Sequence, residues 1–156
     1  MFEFISAQAA HQAIDLATPL IEGLIQADMV KRHDLHVLVA RRQADGTYTV
    51  LAERSYGDSA KWEQPFDEIA HSKARITSRT GLTSREVQLM RPGLLEPGDI
   101  KFWGSAILDP IIVACSGFQP WYDEAVANAV AWLCQAAVDQ LRDDAQALSG
   151  YHYPEA

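Results

Sequence analysis

The strongest periodic signal lies near the start of the chain. Ala10, Ile14, Ala17, Ile21, Leu24 and Ile25 recur every three or four residues between Ser6 and about Met29, which gives a helix one apolar stripe. Pro19 falls inside the stripe, and its missing N–H and its ring predict a kink or a break near Thr18. The period then changes to two. Leu35, Val37 and Val39 alternate with His36, Leu38 and Ala40, and TYTVLAER follows after Asp45-Gly46. Two antiparallel strands account for this, with Asp45-Gly46 supplying the positive backbone dihedrals of the turn.

A loop-like stretch, SYGDSAKWEQP, precedes a mixed helical face containing Ile69, Ala70, Lys73, Ile76 and Thr77. Asp67 is positioned to cap that helix from Glu68, and Gly81 to stop it. Thr83 and Glu86 have capping-box spacing before Val87, Leu89 and Met90. MRPGLLEPGD then reads as a connection, SAILD and IIVACSGF as two buried strands, and Pro120 with Asp123 and Glu124 as the first turn of a closing helix. Val126, Val130, Leu133, Val138 and Leu141 form that helix's apolar face. Helix, hairpin, two helices, hairpin, helix predicts an α+β fold: an antiparallel sheet of about five strands covered by helices.

Composition narrows the class. A chain of 156 residues, 48% apolar and 22% charged, suits one folded domain, assigned to residues 1–150 with 151–156 as a tail. No apolar run approaches the roughly 20 residues that span a bilayer, so no membrane partner is expected. The acidic character of MFEFISAQAAHQAID predicts a cytoplasmic protein with no secretory signal. A net charge of −8 disfavours nucleic acid as a partner. The one basic cluster, Lys73, Arg75, Arg79 and Arg85, would suit an anionic ligand if it lined a pocket, and otherwise reads as a solvated helix face. Cys115 and Cys134 read as buried thiols in apolar surroundings.

Three segments carry a family resemblance. IAHSKARITSRTG resembles the Ala-x-x-Lys-Ala-x-x-Ala helix of the haem-binding HbpS and glycolate-utilisation GlcG proteins, a domain also found at the C-terminus of PduO-type corrinoid adenosyltransferases. IIVACSGFQPWYDEAVANAVAWL resembles that family's closing strand, Ser-Gly turn, Asp-Glu pair and Ala-rich helix, and FWGSAILD stands in place of its Gly-Gly-Val-Pro-Ile strand. Two departures are Trp103 for the first glycine of the pair and Asp109-Pro110 for the Asp-Gly turn, which predicts a bulge or an open turn. The resemblance implies a profilin-like or PAS-like layered fold, symmetric homo-oligomers, and haem or another compact ligand in some members.

Candidate ligand-binding residues are His71, Lys73, Arg75, Ser116, Gly117 and Asp123. His71 could ligate haem iron, although a lone histidine is more often hydrogen-bonded at a surface, and Lys73 could meet a ligand carboxylate or pair with an acid of the last helix. Ser116-Gly117 precedes a helix whose free amides could receive an anion or be satisfied by Asp123. No metal site is expected: His33 and His36, three apart on a strand, would point to opposite faces. Trp62, Trp103, Trp121, Tyr122 and Tyr56 fall in or beside loops, where they suit a pocket or, preferentially, a subunit interface. The leading expectation is a non-catalytic ligand-binding or accessory protein taking haem or a small anionic metabolite. Its rivals are an enzyme using Lys73 or His71 as base beside Ser116 and Asp123, and an oligomeric scaffold.

Overall fold

The computed structural model describes residues 5–148, with side chains described through Ala145. The tail assigned to 151–156 lies outside the described residues. The elements are α1 (Ala7–Gln26), β1 (Leu35–Arg42), β2 (Tyr48–Tyr56), α2 (Phe66–Thr80), α3 (Ser84–Met90), β3 (Ser105–Leu108), β4 (Ile111–Ser116) and α4 (Pro120–Leu148), with short 3₁₀ turns at Ser59–Lys61 and Pro92–Leu94. One antiparallel sheet of four strands, in the order β2-β1-β4-β3, is covered on both faces by helices. The α+β class therefore stands with four strands in place of about five. None of the described helices is long and apolar enough to cross a membrane.

The alternation along β1 divides the core. Leu35, Val37 and Val39 join Val113 and Cys115 of β4 under α1 and α4, with Ile14, Ile21, Val126 and Val130. Leu38 and Ala40 face the other way with Ile112 and Ala114, onto Ala70 and Ala74 of α2. Two alanines one turn apart let α2 approach the sheet closely. Val126, Val130 and Val138 are buried as expected, Leu133 is half-buried, and Leu141 is 48% exposed.

Local chemistry explains most boundaries. Ser6 caps α1 through Ala9 N–H, Thr83 caps α3 through Glu86 N–H, and Gly81 ends α2 in the left-handed conformation at φ 74°. Several expectations need correction. Pro19 does not break α1, which continues through it as one helix; Thr18 Oγ1 donates to Ile14 O nearby. In the first hairpin only Gly46 has positive φ, and Asp45 instead accepts from Thr47 N–H and Oγ1. α2 begins at Phe66, so Asp67 lies within its first turn, where a carboxylate favours the helix dipole, and does not cap it. Asp109-Pro110, a cis peptide, forms no bulge: Leu108 pairs directly with Ile111, and β3 and β4 keep unbroken register. His33 precedes β1, so it shares no strand with His36.

Ile14 is fully buried and Leu16 is 62% exposed two residues later. Ile14→Ala is expected to cost about 2–5 kcal/mol and Leu16→Ala no more than about 0.5 kcal/mol, measured by urea unfolding.

Candidate functional site

Helix α2 is polar through its buried side. Ser72, Lys73, Thr77 and Ser78 are all buried on it, together with Ala70, Ala74 and Ile76. Lys73 enters a buried ion pair, Thr77 joins a cluster of hydroxyls, and Ser78 Oγ lies within hydrogen-bond distance of Gly46 O and Thr47 O in the β1–β2 turn, while a further polar cluster gathers around His71.

The ion pair belongs to the cleft. Lys73 is 1% exposed; its Nζ donates to Cys115 O at 2.8 Å and to Asp123 Oδ2 at 3.1 Å. Asp123 Oδ1 accepts from Phe118 N–H at 2.9 Å, closing the Ser116-Gly117 turn onto the start of α4. The two helices lie on opposite faces of the sheet, and the pair joins them past the ends of β3 and β4. Gly104 makes room for this, since a Cβ there would sit 2.7 Å from Cys115 O and 2.8 Å from both Lys73 Nζ and Asp123 Cβ, at φ +153°. Burial pushes the Asp123 carboxyl up to about 6, against the Lys73 ammonium and the amides of Phe118 and Gly117. Burial also raises the Cys115 thiol well above its usual range, aided by the charge of Asp123, and pushes Cys134 up to about 12. Both thiols are free, buried and protonated at neutral pH, so neither is an activated nucleophile.

Beside the pair opens a cleft of about 790 Å³. Phe66, Ile69, Ile100, Phe102, Phe118 and Trp121 give it apolar walls, and Lys73, Ser116, Gly117 and Asp123 close its inner end. Exposed Lys31 and Arg32 line it as well, the guanidinium of Arg32 lying 5.7 Å from the Phe66 ring centre and 3.4 Å from Glu63. Four of the six candidate residues thus come together: Lys73, Ser116, Gly117 and Asp123.

His71 and Arg75 do not line this cleft. His71 turns toward the β2 end of the sheet, where its Nδ1 meets Tyr48 Oη at 2.8 Å and its Nε2 meets Glu53 Oε1 at 2.8 Å. The same Glu53 oxygen lies 2.9 Å from Nε2 of buried His36, whose Nδ1 meets Ser55 Oγ at 2.9 Å. Burial raises Glu53, but the two imidazoles outweigh it and hold the carboxyl below its ordinary value. Tyr48 is raised by burial, with Arg75 opposing, so its phenol is not activated. No group of three or more His, Cys, Asp or Glu among the described residues is arranged to hold a metal ion. The expected basic cluster is dispersed: Arg79 pairs with Asp99 at 2.7 Å, Arg85 with Glu124 at 3.3 Å, and Lys73 with Asp123.

The second polar cluster lies near Gly104. Thr77, Ser105 and Ser84 link their hydroxyls at 2.7 and 2.8 Å, and Ser84 Oγ accepts from Gly104 N–H. Of the loop aromatics, Trp121 is on the cleft and 58% exposed, Trp62 packs edge-on to His36 and Phe66, and Tyr56 bonds Thr18 at 2.7 Å. Glu53, Gly104 and the hydroxyl cluster carry no local signal; a buried Lys73 demanding a partner was the only indication that such polar packing existed. No family model, curated protein or solved structure matches the chain.

Lys73→Met is expected to cost about 3–5 kcal/mol by stranding the Asp123 charge, and Lys73→Met/Asp123→Asn to recover part of that loss in the same unfolding assay. The raised Asp123 carboxyl fixes a sign: its stabilising share is fully present below its ordinary 3.8 and is lost as pH rises through about 6. The stability of the native protein relative to Asp123→Asn should therefore fall across that interval and level off above it, followed by chemical denaturation.

Proposed function

We propose that this chain is a non-catalytic ligand-binding protein of the HbpS/GlcG kind, holding a small amphipathic anion in the cleft between α2 and the β4–α4 turn. The observation that carries the reading is a buried ammonium, Lys73, at the inner end of a cleft with apolar walls. Three basic side chains line the cleft (Lys31, Arg32, Lys73) against two acidic ones (Glu63, Asp123), a surplus of one positive charge in a chain whose net charge is −8. Aromatic and branched walls suit the body of an aromatic or branched carboxylic acid, and the inner end suits its carboxylate.

The rival readings have less support. Haem ligation by His71 would require breaking its bonds to Tyr48 or Glu53, and His71 faces away from the cleft. General-base catalysis by His71 lacks Ser116 and Asp123 beside it, and catalysis by Lys73 needs a free amine where its Nζ instead donates to Cys115 O and Asp123. Assembly into homo-oligomers belongs to the same proposal, because Leu16, Leu20 and Trp132 expose 62%, 45% and 60% of their surface on α1 and α4.

Calorimetric titration with phenylacetate, indole-3-acetate and haemin tests the reading. A carboxylate should bind saturably and more weakly, by roughly the tenfold that 1.4 kcal/mol represents, in Arg32→Ala. Absence of saturation with both carboxylates would defeat the proposal, and a haemin Soret shift abolished by His71→Ala would replace the anion with haem.

A further inference from the structure

We propose that the cleft takes up its anion together with a proton, and that Asp123 is the group receiving it. This rests on the anion-binding reading above and adds the regulation of that site. The starting point is charge balance in a place without water. Lys73 and Asp123 form a neutral pair with side chains 1% and 3% exposed, 3.1 Å apart. An anion arriving at the Lys73 ammonium makes that enclosed set negative by one charge. A proton on Asp123 restores neutrality.

The charged and titratable groups around Asp123 leave it as the receiver. From α2 comes Lys73, and from β4 the Cys115 thiol, which burial keeps protonated. The turn contributes the amides of Gly117 and Phe118. On α4 the next residue, Glu124, is held by Arg85 of α3 at 3.3 Å. Lys31, Arg32 and Glu63 line the cleft but are exposed, so solvent compensates them. Asp123 is thus the one deeply buried carboxylate among these neighbours.

Its chemistry is poised for the change. Burial already holds the carboxyl at about 6, and a second negative charge within a few ångströms raises a carboxylate further, moving it across neutrality. The proton comes from solvent and goes to Oδ2, the oxygen facing Lys73, while Oδ1 keeps the Phe118 amide. The protonated oxygen then becomes a donor, able to share its hydrogen with the incoming carboxylate as paired carboxyl groups do. Lys73 meanwhile exchanges one anionic partner for another and never stands alone.

The test titrates the native protein with phenylacetate near neutral pH in two buffers of different ionisation enthalpy, with uncharged phenylacetamide as control. Phenylacetate should take up about one proton per molecule bound and phenylacetamide none. Affinity for phenylacetate should weaken about tenfold per pH unit above the Asp123 midpoint near 6. Asp123→Asn should bind phenylacetate without uptake and without that slope. Saturable binding with no buffer dependence and a flat pH profile overturns the linkage alone, as does uptake that persists in Asp123→Asn. Failure of phenylacetate to bind even at acid pH removes the anion site and the linkage together. The buffer comparison uses only the native protein, so it decides the matter even if the variant does not fold.

Discussion

A lysine ammonium and an aspartate carboxylate shut away from water set the terms for this fold. Stripping both ions of solvent costs several kcal/mol each, and attraction offsets that cost only when geometry is good and remaining hydrogen-bonding capacity is used. Here Lys73 has Cys115 O as a second acceptor and Asp123 has the Phe118 amide, so each ion is held by more than its counter-ion. Much of the surrounding backbone follows from that need. Gly104 must lack a side chain, Gly117 must turn at φ 137° close to Asp34, and α4 must start where its fourth residue points inward.

The same helix organises the polar interior elsewhere. α2 meets the sheet through two alanines, and half of its buried positions carry hydroxyls or an ammonium: Ser72, Lys73, Thr77 and Ser78. The hydroxyl cluster of Thr77, Ser105 and Ser84 satisfies Ser84 and Gly104 amides that would otherwise be stranded where α3 meets β3. Toward β2, one Glu53 oxygen serves two imidazoles, orienting both rings through Ser55 and Tyr48. Directional bonds of this kind fix register in a way that a purely apolar interface cannot.

What could be read from residue order was whatever depends on neighbours in sequence. Apolar spacing located α1 and the faces of β1, Ser6 and Thr83 marked helix starts, and Gly81 marked an end. Errors arose where a longer-range contact overrode local preference. Pro19 was absorbed into a continuous α1 packed against α4, and the α2 start moved to Phe66, whose ring is buried beside Trp62. The site shows the same division. Lys73 and Asp123 stood out as charges in apolar or helix-start settings, whereas Gly104 and Glu53 matter only through partners such as Ser84 and His71, 20 and 18 residues away in the chain.

Tying α2 to α4 around the end of the sheet also has a mechanical side. The layers on either face share no covalent connection at that point, yet neither can lift away by itself without baring half of an ion pair. Opening of one face is thereby made conditional on opening of the other, and the two behave as a single cooperative unit despite the β-sheet between them.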